Sequence, residues 1–408
     1  MLSKISFSSA AVLACFAVQA TFAQTTTLTG QKNVVSTSVP FLIVPPEARA
    51  AGMGDAGVAT SPDANSVHWN PSKLAFIEKD FGFATSYSPW LRNIVPDMSL
   101  SYVSGYYRLR KQDVIAASIR YFDLGKISFT DASGRPTQDF NPREFAFDLT
   151  YSRLLSRSFS MAVTARYFSS NLAGNVSNGT ANASPASSAA VDISLFYTKD
   201  KLSLLGVNSR WSVGANISNI GPKVAYIDNS TQNFIPANLR LGTAWTGEFD
   251  EYNKLTIAID ANKLLVPTPP ILVLNPDGTT TIKGKDNRDV SLFAGVFGSF
   301  TDAPDGAGEE FREIQWSLGA EYWYNRLIAV RAGYFFEDDT KGSRKYFTLG
   351  AGLRYQMFGI DFAYMLPQGQ TNPLADTMRF TLHFDFNKPK KGGKEDSDVQ
   401  TEPTQPQG

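Results

Sequence analysis

From Phe81 to Phe386 the chain reads as segments of ~10 residues in which every second side chain is apolar, separated by stretches rich in Gly, Asn, Asp, Ser and Pro. Phe145, Phe147, Leu149 and Tyr151 alternate with Glu144, Ala146, Asp148 and Thr150; Met161, Val163, Ala165 and Tyr167 alternate with Ser160, Ala162, Thr164 and Arg166. Such alternation predicts strands near 81–91, 97–109, 112–122, 143–153, 157–168, 189–198, 209–219, 238–248, 253–260, 313–324, 326–336, 345–356, 358–366 and 377–386. A fifteenth candidate strand, 289–300, would make the count odd; it is the weakest, because Leu292, Phe293, Val296, Phe297 and Phe300 follow helical rather than two-residue spacing, and it is read instead as a helix with these residues on one stripe. Fourteen strands remain, an even number that lets both ends of a barrel lie on one side of a membrane. The short links Arg110–Lys111, Asn325 and Met357 then fall on the periplasmic side. The connections 123–142, 169–188, 220–237, 337–344 and a long excursion from Ala261 to Arg312 fall on the extracellular side.

A soluble β-sandwich also alternates, but it buries its apolar face and exposes its charges. Here the apolar face carries aromatic residues at its ends, among them Tyr121, Tyr151, Tyr167, Tyr197, Trp211, Trp245, Tyr322, Tyr334 and Tyr355, as membrane-interface girdles do. The other face holds seven acids (Glu144, Asp148, Asp192, Asp260, Glu321, Asp361, Asp385) and six arginines (Arg120, Arg166, Arg240, Arg331, Arg354, Arg379) that can pair across a lumen. Lipid offers no hydrogen bonds to an open sheet edge, so the strands must close. The expected fold is all-β: a transmembrane antiparallel β-barrel of about 14 strands, residues 81–386.

Composition agrees. Charged residues make up 19% and aromatics 12%, and 38 basic residues balance 38 acidic ones, which argues against nucleic acid as a partner. Residues 1–23 read as a signal peptide: Lys4, an apolar stretch from Ile5 to Val18, and small residues around a cut before Gln24. Val12–Cys15 loosely matches a lipoprotein box, but apolar residues continue where a polar tether would begin. Cys15 is the only cysteine, so the mature chain is expected to have no thiol chemistry. After the last strand, residues 387–408 form a polar tail with Lys388, Lys390, Lys391 and Lys394, read as disordered. Phe386 ends that strand on an aromatic, similar to the assembly signal of bacterial outer-membrane barrels.

Residues 24–80 are too distinctive for a tether. Gly52, Gly54 and Gly57 have dinucleotide-site spacing, yet Pro45–Pro46 breaks any feeding strand, and close packing of a plug against barrel walls is the better account. The run from Ala48 to Ala59 and the run Trp69-Asn70-Pro71-Ser72-Lys73-Leu74-Ala75 resemble the N-terminal hatch of FadL-like barrels, and most of all the PorV family of type IX secretion. Asn262–Pro270, Ser299–Pro304 and Gly319–Asn325 are similar to that family's internal signatures. The resemblance implies a non-enzymatic outer-membrane protein. Such a protein accepts cargo from a translocon barrel through C-terminal signal domains and passes it to a surface attachment complex. The alternative is a FadL-like channel for hydrophobic small molecules.

The hatch residues are expected to be Arg49, Gly52, Gly54, Asp55, Gly57, Asp63, Asn65, Trp69, Asn70 and Pro71, the polar ones meeting charged walls. Leu264, Val266, Ile271, Leu292, Phe293, Val296, Phe297 and Phe300 are expected to bind partners, since so many apolar residues do not suit a solvated loop; the helix either docks a partner or lies over the barrel mouth as a lid. His68 and His383 are the only histidines and are read as structural, leaving no metal cluster, cofactor or Ser-His-Asp triad. The Asn-x-Ser/Thr matches at Asn175, Asn178 and Asn182 reflect loop composition.

Overall fold

A computed structural model describes residues 33–90, 97–130, 133–172, 184–204, 206–227, 232–274, 279–285, 289–368 and 377–387. Residues 1–32, which hold the expected leader and the start of the expected hatch segment 24–80, residues 388–408 of the expected tail and the Asn175–Asn182 stretch lie outside the described residues. Fourteen antiparallel strands close into a barrel: β1 (Phe81–Pro89), β2 (Ser99–Arg108), β3 (Asp113–Asp123), β6 (Arg143–Leu154), β7 (Phe159–Asn171), β8 (Ala186–Leu204), β9 (Val207–Ile220), β10 (Asn238–Glu248), β11 (Asn253–Leu264), β14 (Gln315–Tyr324), β15 (Ile328–Phe336), β16 (Lys345–Tyr355), β17 (Phe358–Pro367) and β18 (Met378–Phe386). Each pairs with its sequence neighbours in the barrel, and β18 closes onto β1 with Phe386 opposite Phe81. Two hairpins stand apart from the wall, β4 (Ile127–Thr130) with β5 (Pro136–Phe140) and β12 (Ile271–Leu274) with β13 (Thr280–Lys283).

All fourteen predicted strands are present. β8 is longer than its apolar alternation, and β11 runs on to Leu264 because Ala261, Asn262 and Lys263 keep their ladder pairing with Leu241, Arg240 and Leu239. The excursion therefore spans 265–314 rather than 261–312. All three short links are also longer than predicted, the first spanning 109–112 between β2 and β3. Asn325 and Arg326 both take positive φ in a turn ending at Leu327, and Gln356 does so beside Met357.

The wall is inverted relative to a soluble protein. Outward positions such as Val103, Ile119, Leu149, Val163, Leu241, Leu349 and Phe380 are exposed, whereas Asp148, Arg166, Asp260, Glu321, Arg331 and Asp361 are buried inside. A water-soluble chain could not leave so large an apolar face uncovered; surrounding lipid makes it stable. Of the thirteen predicted lumen charges eleven are buried, while Arg354 and Asp385 line an open cavity at the end that carries the short turns.

Candidate functional site

The lumen is occupied by residues 38–77. Asn33 starts at the long-connection end, its backbone N–H donating to Thr340 O at 3.0 Å, and the chain descends through the barrel to enter β1 at the opposite end. Two short helices, α1 (Ala48–Ala51) and α2 (Ser66–Trp69), and 3-10 turns at Pro40–Ile43 and Pro71–Phe76 make up this hatch. Glu47 caps α1: its carboxylate accepts from the backbone N–H groups of Arg49 and Ala50 and from the Trp69 indole. One acidic side chain thus holds both halves of the hatch.

Polar bonds tie the hatch to most of the wall. Arg49 donates twice to Glu321 on β14, at 2.9 and 2.8 Å, and once to Asp63 at 2.8 Å. Gly57 and Val58 N–H groups converge on one oxygen of Asp260 on β11 at 2.7 and 2.9 Å. Asp55 accepts from Tyr346 of β16 and Arg379 of β18. Asn65 accepts from Ser104 of β2, Asn70 donates to Leu195 O on β8, and Ser160 of β7 donates to Ser72 O. His68 sits between two arginines, Nδ1 accepting from Arg120 at 2.6 Å while Arg240 donates to its carbonyl at 3.0 Å. Burial and these guanidinium groups hold the imidazole well below its ordinary pKa, so it stays neutral and accepts. Burial opposes the Asp63 charge, but Arg49, Lys73 and His383 together outweigh it and keep the carboxyl below its usual range. Lys73, whose ammonium donates to Gly57 O at 2.6 Å, is pushed down to about 8 by burial.

Every predicted hatch residue is therefore in the lumen, all buried except Asp63, which borders the cavity. The glycines work as close-approach positions on both sides. Gly54 has φ +67°, and a Cβ there would lie 2.6 Å from Tyr334 N; across from it, a Cβ on Gly333 would lie 2.1 Å from Gly54 N. Gly214, Gly242 and Gly319 leave similar room for Val58 and Met53. The sequence reading missed these wall glycines, and Glu47, Ser72 and Lys73 as well. Their signal was glycine at lumen-facing strand positions, which by itself reads as a weak strand.

The excursion is folded. It contains the β12–β13 hairpin, α3 (Leu292–Gly298) and α4 (Ala307–Arg312). Lys263 donates to Glu310 and Glu313 at 2.9 and 2.6 Å, and Lys341 to Glu309 and Glu313 at 2.5 and 2.9 Å; all five side chains are nearly buried. Thr268 adds a bond to Glu313 at 2.6 Å. The predicted apolar stripe is split. Leu292 and Val296 turn inward onto Ala237, Leu265, Ile217 and Leu239, while Phe293, Phe297 and Phe300 remain 64%, 73% and 45% exposed. Of the other expected partner-binding residues, Val266 is buried, and Leu264 and Ile271 are half-buried, Leu264 ending β11 on the lumen side. A seven-residue helix cannot keep i, i+1, i+4 and i+5 all on one contact when a wall covers one side. The lid reading also fails, because Ile217 and Leu239 point outward from the barrel and α3 packs on them rather than across the mouth.

Below the hatch, a cavity of about 550 Å³ opens at the short-turn end, lined by Arg49, Asp63, Lys79, Arg210, Lys254, Trp323, Arg354 and Asp385 among others. Its walls are charged.

The family model described as type IX secretion system protein PorV matches residues 27–271. No curated protein matches the chain. Among solved structures the chain is similar to the CymD monoaromatic hydrocarbon channel, at 13% identity and TM-score 0.50 over 85% of this chain and 98% of that one. It is also similar to the Pseudomonas putida toluene transporter TodX (12%, 0.48, 86% and 98%) and the Ralstonia pickettii toluene transporter TbuX (13%, 0.48, 84% and 98%). Likeness at such identities speaks for the fold alone.

Proposed function

The chain belongs to the PorV family of type IX secretion system proteins, and from that membership we propose that this outer-membrane barrel is a cargo shuttle. It accepts secreted proteins from the translocon barrel through their C-terminal signal domains and hands them to the surface attachment complex. The long connections are its working end, facing the cell surface, and the hatch keeps the lumen closed while cargo is held outside it. Leader 1–23, hatch segment 24–80, barrel 81–386 and tail 387–408 are the corresponding parts.

The observation that carries this reading is the family match over residues 27–271; a hatch alone belongs to FadL-like channels as well, and the charged packing of the lumen is what adds support. A channel for hydrophobic molecules needs an apolar path, whereas here the mid-lumen is filled by backbone and by ion pairs such as Arg49–Glu321 and Arg166–Asp148. No reaction is assigned to the protein, and no cofactor enters the proposal. The test is affinity purification of the tagged protein from detergent-solubilised membranes of its host. The expected result is co-purification of a large translocon barrel and of proteins bearing C-terminal signal domains, displaced by an excess of an isolated signal domain. Recovery of the barrel alone, with a saturable binding of toluene or fatty acid, would support the channel instead.

A further inference from the structure

The excursion straddles the rim: Pro269 O and Glu309 accept from Asn33 at the hatch entry, while α3 packs on the outside of the barrel, and this assigns its exposed phenylalanines a surrounding. Ile217, Leu239 and Lys263 form one outward row across β9, β10 and β11. Lys263 stands eight residues above Leu255 on β11, about 20 Å up the wall at ordinary strand rise and tilt and so within an apolar band ~25 Å tall. The same climb separates Phe159 from Tyr167 on β7. A bare ammonium at that height is disfavoured in lipid, and it is covered by Glu310 of α4 and by Glu313, which follows the helix. α3 covers the neighbouring Ile217 and Leu239. Whatever faces away from the barrel on these helices is thus at the level of the outer membrane interface.

What faces away is apolar. α3, with the sequence LFAGVFG, has no charged side chain, and its outer side presents Phe293 and Phe297. On α4, Phe311 is 64% exposed, with its ring 6.4 Å from that of Trp316, an outward residue of β14 paired with Ala261. The exposed rings therefore continue the lipid-facing wall through Trp316 and Leu318. We infer that α3 and α4 form an interfacial membrane anchor, inserting Phe293, Phe297 and Phe311 into lipid at the outer edge of the bilayer. The ion-paired face of the excursion thereby remains clamped to the barrel rim. The inference needs only that the barrel lies in a bilayer, and it stands or falls separately from cargo transfer.

The test uses single cysteines on a Cys15→Ala background, at Phe297, at Leu241 on the exposed wall and at Asp339 on the 337–344 connection, each carrying a fluorescent label. The purified proteins are reconstituted into phosphatidylcholine vesicles after heat-modifiable gel mobility has shown each barrel folded. The label at position 297 is expected to be quenched by nitroxide-bearing lipid as strongly as the label at 241, and to be shielded from iodide, whereas the label at 339 is quenched by iodide. Iodide quenching at 297 equal to that at 339, with no quenching by nitroxide lipid, would overturn the anchor and leave these rings as a site for a protein partner. Labels at Phe293 and Phe311 repeat the comparison if labelled Phe297→Cys does not fold.

Discussion

Arg49 joins the hatch to the wall through Glu321 and to the rest of the hatch through Asp63. Replacing it with Met keeps the stem but leaves two carboxylates short of a partner in a site where the Arg49 and Glu321 side chains are 9% and 1% exposed. The loss from such a buried pair is about 3–5 kcal/mol. Arg49→Met is therefore expected to lower the guanidinium midpoint of the reconstituted barrel or to free the hatch, and an unchanged midpoint with unchanged conductance would remove Arg49 from this role. His68 gives a pH dependence. Its folded pKa is depressed, so the unfolded chain takes up a proton as pH falls through about 6.5 while the folded chain resists it. Stability is then lost as pH falls from 7 towards 5, by up to about 1.4 kcal/mol per pH unit, and His68→Asn should flatten that slope. Equal slopes for both proteins would contradict the assignment. The polar hatch residues were legible because a plug among charged walls must satisfy buried groups. The bonds made by Lys73 to Gly57 O and by Asp260 to two backbone N–H groups were not, since backbone partners leave no mark in the side-chain pattern.

At the scale of elements, the strands were readable because lipid on one side and a polar lumen on the other impose a two-residue period. The period fails where the surroundings change. Lys263 interrupts the apolar face of β11 beyond the predicted strand end at 260, yet it is still paired with Leu239 and hidden under α4. The α3 spacing was correct as a helix, but only the wall it meets decides which residues face out. The hatch, as a separate element, should be removable: Gly333→Val would drive its side chain into the Met53–Gly54 backbone, so the barrel is expected to assemble while the hatch cannot seat. Increased single-channel conductance and antibiotic uptake would mark this, as they would for deletion of Ala48 to Ala75; a folded Gly333→Val barrel that stays closed would argue against the plug. Phe386 acts at the seam. Its ring stacks on Phe81 at 4.9 Å, where the last strand meets the first. Phe386→Ala should lower the amount of folded barrel in the outer membrane, and truncation after Asn387 should not. Loss of the barrel on removing the tail would reverse that assignment.

For the whole molecule, the barrel architecture does not choose between a channel and a shuttle, since one fold serves both. The choice rests on family membership over residues 27–271 and on the ion pairs that fill the mid-lumen. The measurement that tests it most directly is the distribution of proteins carrying C-terminal signal domains in a host lacking this gene and complemented by the intact chain. Accumulation of these proteins in the periplasm of the deletion strain, with surface display restored by the intact chain, is the expected result. Normal surface display in the deletion strain, together with loss of uptake of a hydrophobic compound, would contradict the account.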